Sequence, residues 1–358
     1  MLRSATKILS IVVMLAMVLG AFAVVMPALS APVAPAAQEG TVISNPEPMY
    51  AGEQYRNQNL NYGDLAAGLD GVGGSSAAPG NYYSNGSIAR YYVGSYGAWA
   101  YNATNPSGYM LFKKMAETKH CEVWVATDLM YPTGDARNDN PNYTSVNSSK
   151  ANYMAMHFET VIYPNETAFF GPPPQIDGEN SWFKAQGRPY FGTNVSGRLM
   201  IMVFNIVDES FFDSSYPSYI AGYYAPDMDS LYDRNIIHVD SFDWQNRTTG
   251  NPPYPATARP WVYESTVAHE YQHLLHDLYN PAETSFVNEG MSMYAEVLCG
   301  YGLDMSYVNR FFYTPDNSLI DWGDQGQINI LADYGAAALF TTWLADHFGG
   351  SMIQAMMH

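Results

Sequence analysis

Cysteine is nearly missing from this chain of 358 residues: only Cys121 and Cys299 occur, and neither has a partner at CxxC spacing. That excludes a cysteine-built zinc framework and a disulfide-dense scaffold. It leaves one disulfide closing a very long loop, or two separately buried thiols. Basic residues are scarce as well, with 16 Lys and Arg against 34 Asp and Glu and a net charge of -18. This balance argues against nucleic acid or an anionic membrane as a partner. After Met26 no run is apolar enough to span a bilayer, and no repeat recurs at solenoid spacing.

One apolar run is present. Arg3 and Lys7 flank its start, it extends from Ile8 to Met26, and Pro27 ends it; Ala28-Leu29-Ser30 then offers the small residues a signal peptidase reads. Residues 1–30 therefore read as a signal peptide, and the protein as secreted or extracytoplasmic. Membrane attachment follows only if the run is kept as an anchor, since no lipobox cysteine lies near the cleavage site. Residues 31–104 are rich in Pro, Ala, Gly and Ser and read as a low-complexity extension or propeptide, with ordered structure expected from about Tyr109. Residues 105–358 form one sizeable domain. The chain stops at His358 within a further helical pattern, so its C-terminal subdomain is expected to be short or incomplete. Seven sequons, at Asn85, Asn102, Asn142, Asn147, Asn165, Asn194 and Asn246, fit a glycoprotein exterior.

Periodicity separates strands from helices. Cys121 to Ala126 alternates as a half-buried strand does, and Leu199 to Val207 is a continuous apolar run, the mark of a central strand. Tyr219 to Tyr224 and Asn235 to Asp240 are further strand candidates. A helix is expected from Lys150 to Tyr163, stopped by Pro164. From Trp261 to Leu278 apolar residues recur three and four apart, and helices follow at Phe286 to Leu298 and Tyr334 to Phe348. Sheet first and helices afterwards is an α+β order: a mixed sheet packed on the Trp261 helix, then a helical subdomain.

That helix carries His269-Glu270-Tyr271-Gln272-His273 in a chain with only eight histidines. Side chains four apart share a helix face, so His269 and His273 can grip one metal ion. Glu270 points beside them, placed to take a proton from an activated water. A third ligand from the next helix would leave one coordination position open, the arrangement of a catalytic Zn2+ rather than a structural one. Three carboxylates compete for that place. Glu283 lies in the intervening turn, and Glu289 and Glu296 share one face of the following helix. His120, His157, His238, His347 and His358 have no partner at ligand spacing and read as structural.

The run from His269 to His276, followed by Asn288-Glu289-Gly290-Met291-Ser292-Met293-Tyr294-Ala295-Glu296, resembles the gluzincin metallopeptidases. It is similar to the hyicolysin-like and immune-inhibitor-A-like secreted enzymes, and more distantly to the aminopeptidase N family. The likeness is loose over Cys121 to Gly350 and closer from His269 onward. It implies a zincin-like fold and Glu289 in the N-E-G element as the third ligand, with Glu296 left to orient a zinc histidine. It also implies an oxyanion donor at Tyr334, in Asp333-Tyr334-Gly335. The metzincin pattern fails, because His276 and Tyr279 stand where it needs a glycine and a third histidine. Two departures remove no ligand but weaken the carry-over of substrate specificity. Met293 stands where thermolysin-like enzymes carry an aspartate, and the spacing from His273 to Glu289 is short.

These features give a secreted zinc endopeptidase acting on a protein or peptide substrate, with Glu270 as general base and Gly222 to Pro226 as an edge along which an extended peptide lies. The rivals are a cell-surface glycoprotein that keeps the scaffold for adhesion, and an aminopeptidase, whose motif for a free N-terminus is not evident. Acidic clusters at Asp135 to Asn140 and Asp227 to Asp229 are candidate Ca2+ sites, though without EF-hand spacing.

Overall fold

The structure, a computed structural model, describes residues 46–50, 65, 86–93, 108–248, 259–326 and 329–357, all within the unit Val42–His358. The signal peptide, the glycine-rich stretch 71–80, the sequons at Asn85 and Asn102, and His358 lie outside the described residues. The strands are β1 (Glu47–Tyr50), β2 (Ile88–Tyr92), β3 (Tyr109–Glu117), β4 (Cys121–Ala126), β5 (Leu199–Phe204), β6 (Ser218–Tyr224) and β7 (Asn235–Asp240). They form one sheet in the order β1-β6-β7-β5-β4-β3-β2. The pairs β1/β6, β4/β5 and β5/β7 are parallel, and the others antiparallel. The fold is α+β with a mixed sheet.

The continuous apolar run does become the central strand, and every residue of β5 is buried. β4 is buried throughout rather than on one face. Helix α1 (Ser148–His157) packs on β3 and β4, while the Trp124 ring meets Phe191 on the other side. Glu122 survives there because Lys114, Arg198 and Arg234 surround its carboxylate at 3.4–3.5 Å. Burial raises its pKa, but Arg234 and Lys114 outweigh that and hold it below the usual range.

Order also begins earlier than Tyr109. β1 and β2 come from the segment read as an extension, and both belong to the sheet. Pro48 is compatible with β1 only because β1 is an outermost strand among the described residues, where a missing donor leaves no ladder bond unmade.

Helices are not confined to the C-terminal half. α1 and α2 (Tyr163–Phe170) lie between β4 and β5, since parallel strands need a crossover, and α3 (Pro226–Tyr232) lies between β6 and β7. Pro164 does not stop the first of these runs. A π turn at Phe158–Ile162 shifts the bonding register, so that Tyr163 N–H donates to Phe158 O; Pro164 then sits in the first turn of α2, where no donor is required. The C-terminal half contains α4 (Val262–Tyr279), α5 (Ser285–Leu298), α6 (Met305–Tyr313), α7 (Ile330–Phe348) and α8 (Gly350–Met356). No helix among the described residues is long and apolar enough to cross a membrane.

α4 packs on β6 and β7 and against α5. The strand can come this close because residue 222 is glycine: a Cβ there would lie 2.5 Å from Thr266 Cγ2 and 2.8 Å from His238 O. Gly335 has the same role between α7 and α6, where a Cβ would collide with the Tyr307 carbonyl. Gly335→Ala is expected to destabilise the protein by about 1–3 kcal/mol, because backbone rather than a mobile side chain blocks the added methyl. A denaturant midpoint that stays unchanged would contradict this packing.

The cysteine alternatives resolve to two buried free thiols, Cys121 beside Ala155 O and Cys299 beside Glu166. Of the described sequon asparagines, Asn147, Asn165, Asn194 and Asn246 are exposed and Asn142 is half-buried.

Candidate metal centre

α4 is buried along its length from Val262 to His276, including Glu264, His269, Glu270, Gln272, His273 and His276. The apolar stripe read from the sequence is only part of its buried surface, because the sheet, α5 and the segment around β1 enclose it. Polar groups so deeply placed are costly unless bonded or used.

His269 and His273 sit one turn apart with ring centroids 4.8 Å from each other. Their Nδ1 atoms are both engaged. His269 Nδ1 lies 3.1 Å from Glu296 Oε1, and His273 Nδ1 lies 3.0 Å from Ser292 Oγ and also meets Asn288 Oδ1. A ring that donates from Nδ1 presents its Nε2 lone pair. Both Nε2 atoms face Glu289 Oε2, at 3.1 Å from His269 and 3.4 Å from His273. Ligand atoms of these three residues lie within 4.8 Å of one another, the one such group of His, Cys, Asp or Glu among the described residues. Glu289 Oε1 is buried without a hydrogen-bond partner among those residues. Two imidazole nitrogens and a carboxylate suit a borderline divalent cation, and the buried Oε1 is an acceptor that such a cation would satisfy.

No family model matches this chain, and no curated protein matches it either.

The electrostatics fit a cation. Burial works against a charged His269, yet its bonds to Glu289 and Glu296 prevail and raise its pKa to about 10. Burial likewise raises Glu289, but His273 and His269 more than offset it and hold the carboxyl well below the usual range. The metal-free centre thus keeps positive charge against Glu289. Burial pushes Glu270 up to about 8; His269 pulls it down and Glu289 pushes it further up.

Of the competing carboxylates, Glu289 joins the histidines, Glu296 stands behind His269, and Glu283 is spent on Asn280 and Thr284 in the turn. His276 Nε2 lies 3.9 Å from Glu283, outside the cluster. His120, His157 and His238 share hydrogen bonds with Glu159, Tyr301 and Tyr91. α7 starts at Ile330 rather than at Tyr334, so Tyr334 lies inside it, and its hydroxyl donates to Tyr50 O at 2.9 Å. At the candidate Ca2+ clusters, Asp135 holds Arg137 through both oxygens, and Asp229 accepts from Ile236 N–H and Tyr224 Oη.

Sequence reasoning missed Ser292 and Asn288 as partners of His273 Nδ1. Their spacing of four on α5 was the available signal. It also missed Tyr50, whose ring stacks on His269 at 3.7 Å and 16°. Glu296→Ala is expected to weaken binding of a divalent cation at this centre by roughly 10–100-fold, the usual effect of removing an outer partner of a ligand histidine. Competition with a chromogenic chelator measures this, and an unchanged affinity would remove Glu296 from the centre.

Proposed function

We propose that this chain is a secreted zinc-dependent endopeptidase of gluzincin type, built on a zincin-like fold, hydrolysing internal bonds of protein or peptide substrates. The observation that carries the reading is the convergence of two Nε2 atoms on Glu289 while both Nδ1 atoms are tied from behind. A structural tetrahedral site would need a fourth protein ligand, and none joins these three among the described residues.

His269, His273 and Glu289 would hold the zinc. Bound there, it supplies Lewis acidity, bringing the pKa of a water to about 7 and polarising a carbonyl. Glu270 is the base. Its carboxyl is buried beside the ligands, and that burial raises its affinity for the proton it would take from water and return to a leaving amine. Gly222 lets its side chain approach the strand, since a Cβ there would stand only 3.3 Å from Glu270 Cγ. β6 runs alongside α4, but it lies between β1 and β7, with β1 paired to it as far as Gly222, so it is not the exposed edge read from the sequence. The Tyr334 hydroxyl already donates to a backbone carbonyl at the centre, the kind of bond an oxyanion donor makes.

The reading is tested by measuring zinc in the purified chain and assaying peptides blocked at both ends, before and after chelation. One zinc per chain is expected, with cleavage lost to the chelator and restored by zinc. A chain without stoichiometric zinc, or cleavage indifferent to chelation, overturns the proposal. Cleavage confined to peptides with a free N-terminus makes the protein an aminopeptidase instead.

A further inference from the structure

We propose that β1 is an internal pseudosubstrate: an intramolecular strand that occupies the peptide-binding edge of β6 and inserts Tyr50 against the metal centre, so that an extended peptide bearing an aromatic residue must displace it. This rests on the peptidase reading above and adds to it a regulation and a preferred substrate class.

Three observations converge. First, β1 pairs with β6, which would otherwise be the edge of the sheet beside α4, with Glu47 opposite Ser218 and Met49 opposite Ile220. Strand addition to an exposed edge is how many proteins bind an extended peptide. Second, the Tyr50 side chain is buried against the ligand His269, with Tyr307 edge-on to it and Tyr334 tilted beside it. Tyr50 thus belongs to a packed cluster with Tyr307, Tyr334 and Met293 beside the histidine. Third, the Tyr50 carbonyl accepts the hydroxyl of Tyr334 at 2.9 Å, the residue expected to greet a substrate carbonyl.

The ladder that holds the strand is short. It has four residues, it pairs in the less stable parallel sense, and its register breaks between Met49 and Tyr50. Much of its attachment comes from side chains rather than from the ladder. Tyr307 Oη donates to Pro48 O at 2.6 Å, and Arg247 Nη2 donates to Pro46 O at 3.1 Å. Tyr50 is therefore the anchor and Tyr307 a clasp.

The test uses the full zinc-loaded chain and two readouts: binding of an N-blocked phenylalanyl hydroxamate by calorimetry, and hydrolysis of a blocked peptide with one central phenylalanine. Truncating a buried aromatic anchor costs on the order of 30-fold in occupancy, so Tyr50→Ala is expected to bind the hydroxamate roughly 30-fold more tightly and to hydrolyse the peptide faster. Tyr307→Phe keeps the packing and removes only the clasp, so a smaller gain in the same direction is expected even if Tyr50→Ala does not fold. An acetylated peptide of residues 46–50, added in trans, is expected to reverse the gain. Equal or weaker hydroxamate binding in zinc-loaded, folded variants overturns the proposal and makes β1 a fixed part of the sheet. Tighter binding with no hydrolysis by any form leaves the displaceable strand standing and removes the peptidase reading. Hydrolysis with no difference between wild type and variants does the reverse.

Discussion

Glu270→Gln is expected to lower kcat for blocked-peptide hydrolysis by on the order of 10²–10⁴, with zinc unchanged at one per chain. The substitution keeps the size of the side chain and so preserves the close fit over Gly222. It removes the only property the mechanism asks of this residue, the capacity to accept a proton. Zinc is retained because Glu270 is outside the group whose ligand atoms converge. The folded protein is not expected to suffer. A carboxyl whose pKa burial raises to about 8 is costly to keep ionised, and a neutral amide of the same shape avoids that cost. Loss of turnover with metal and thermal midpoint intact would therefore separate chemistry from structure. A variant keeping more than a tenth of wild-type kcat would sink the assignment of Glu270 as base.

Glu289→Ala is expected to have the second largest effect, on metal and stability together. Glu289 is the acceptor on which both Nε2 atoms converge, so its loss should weaken zinc binding by more than the roughly 10–100-fold expected for an outer partner such as Glu296. In the metal-free protein the damage is of another kind. His269 is buried with its pKa raised by its bonds to Glu289 and Glu296, and breaking such a buried pair costs about 3–5 kcal/mol. Calorimetric melting of the chelated variant against chelated wild type measures this, and zinc titration measures the first effect. A variant that still binds one zinc with wild-type affinity would pass the third-ligand role to another residue.

How much of this was legible in the sequence depended on whether a feature was local. The histidine pair needs only the period of a helix, and α4 supplied it over Val262–Tyr279. The centre of the sheet needs only an unbroken apolar run, which Leu199 begins. Support for the ligands is not local, because it depends on how α5 rotates against α4. Met293 looked like a missing support, but that position turns away to pack with Tyr50, Tyr307 and Tyr334. His273 is held instead by Asn288 and by Ser292, the residue just before Met293. β1 was invisible for two reasons. Four residues with a proline at 48, and another just before them at 46, carry little strand signal, and the partner strand lies far along the chain. Pro164 misled because a π turn changes which donor a helix can spare.

The two thiols have a practical meaning for how the molecule opens. Burial raises the pKa of Cys121 to about 12 and lifts that of Cys299 well above its ordinary value, so neither is a reactive thiolate while packed. A thiol reagent can modify each one only when its own surroundings come apart. Cys121 reports on β4, inside the sheet, and Cys299 on the end of the helix that carries Glu289. Their labelling rates, compared within one sample, give the order in which sheet and metal-bearing helices loosen, with no dye or engineered site introduced.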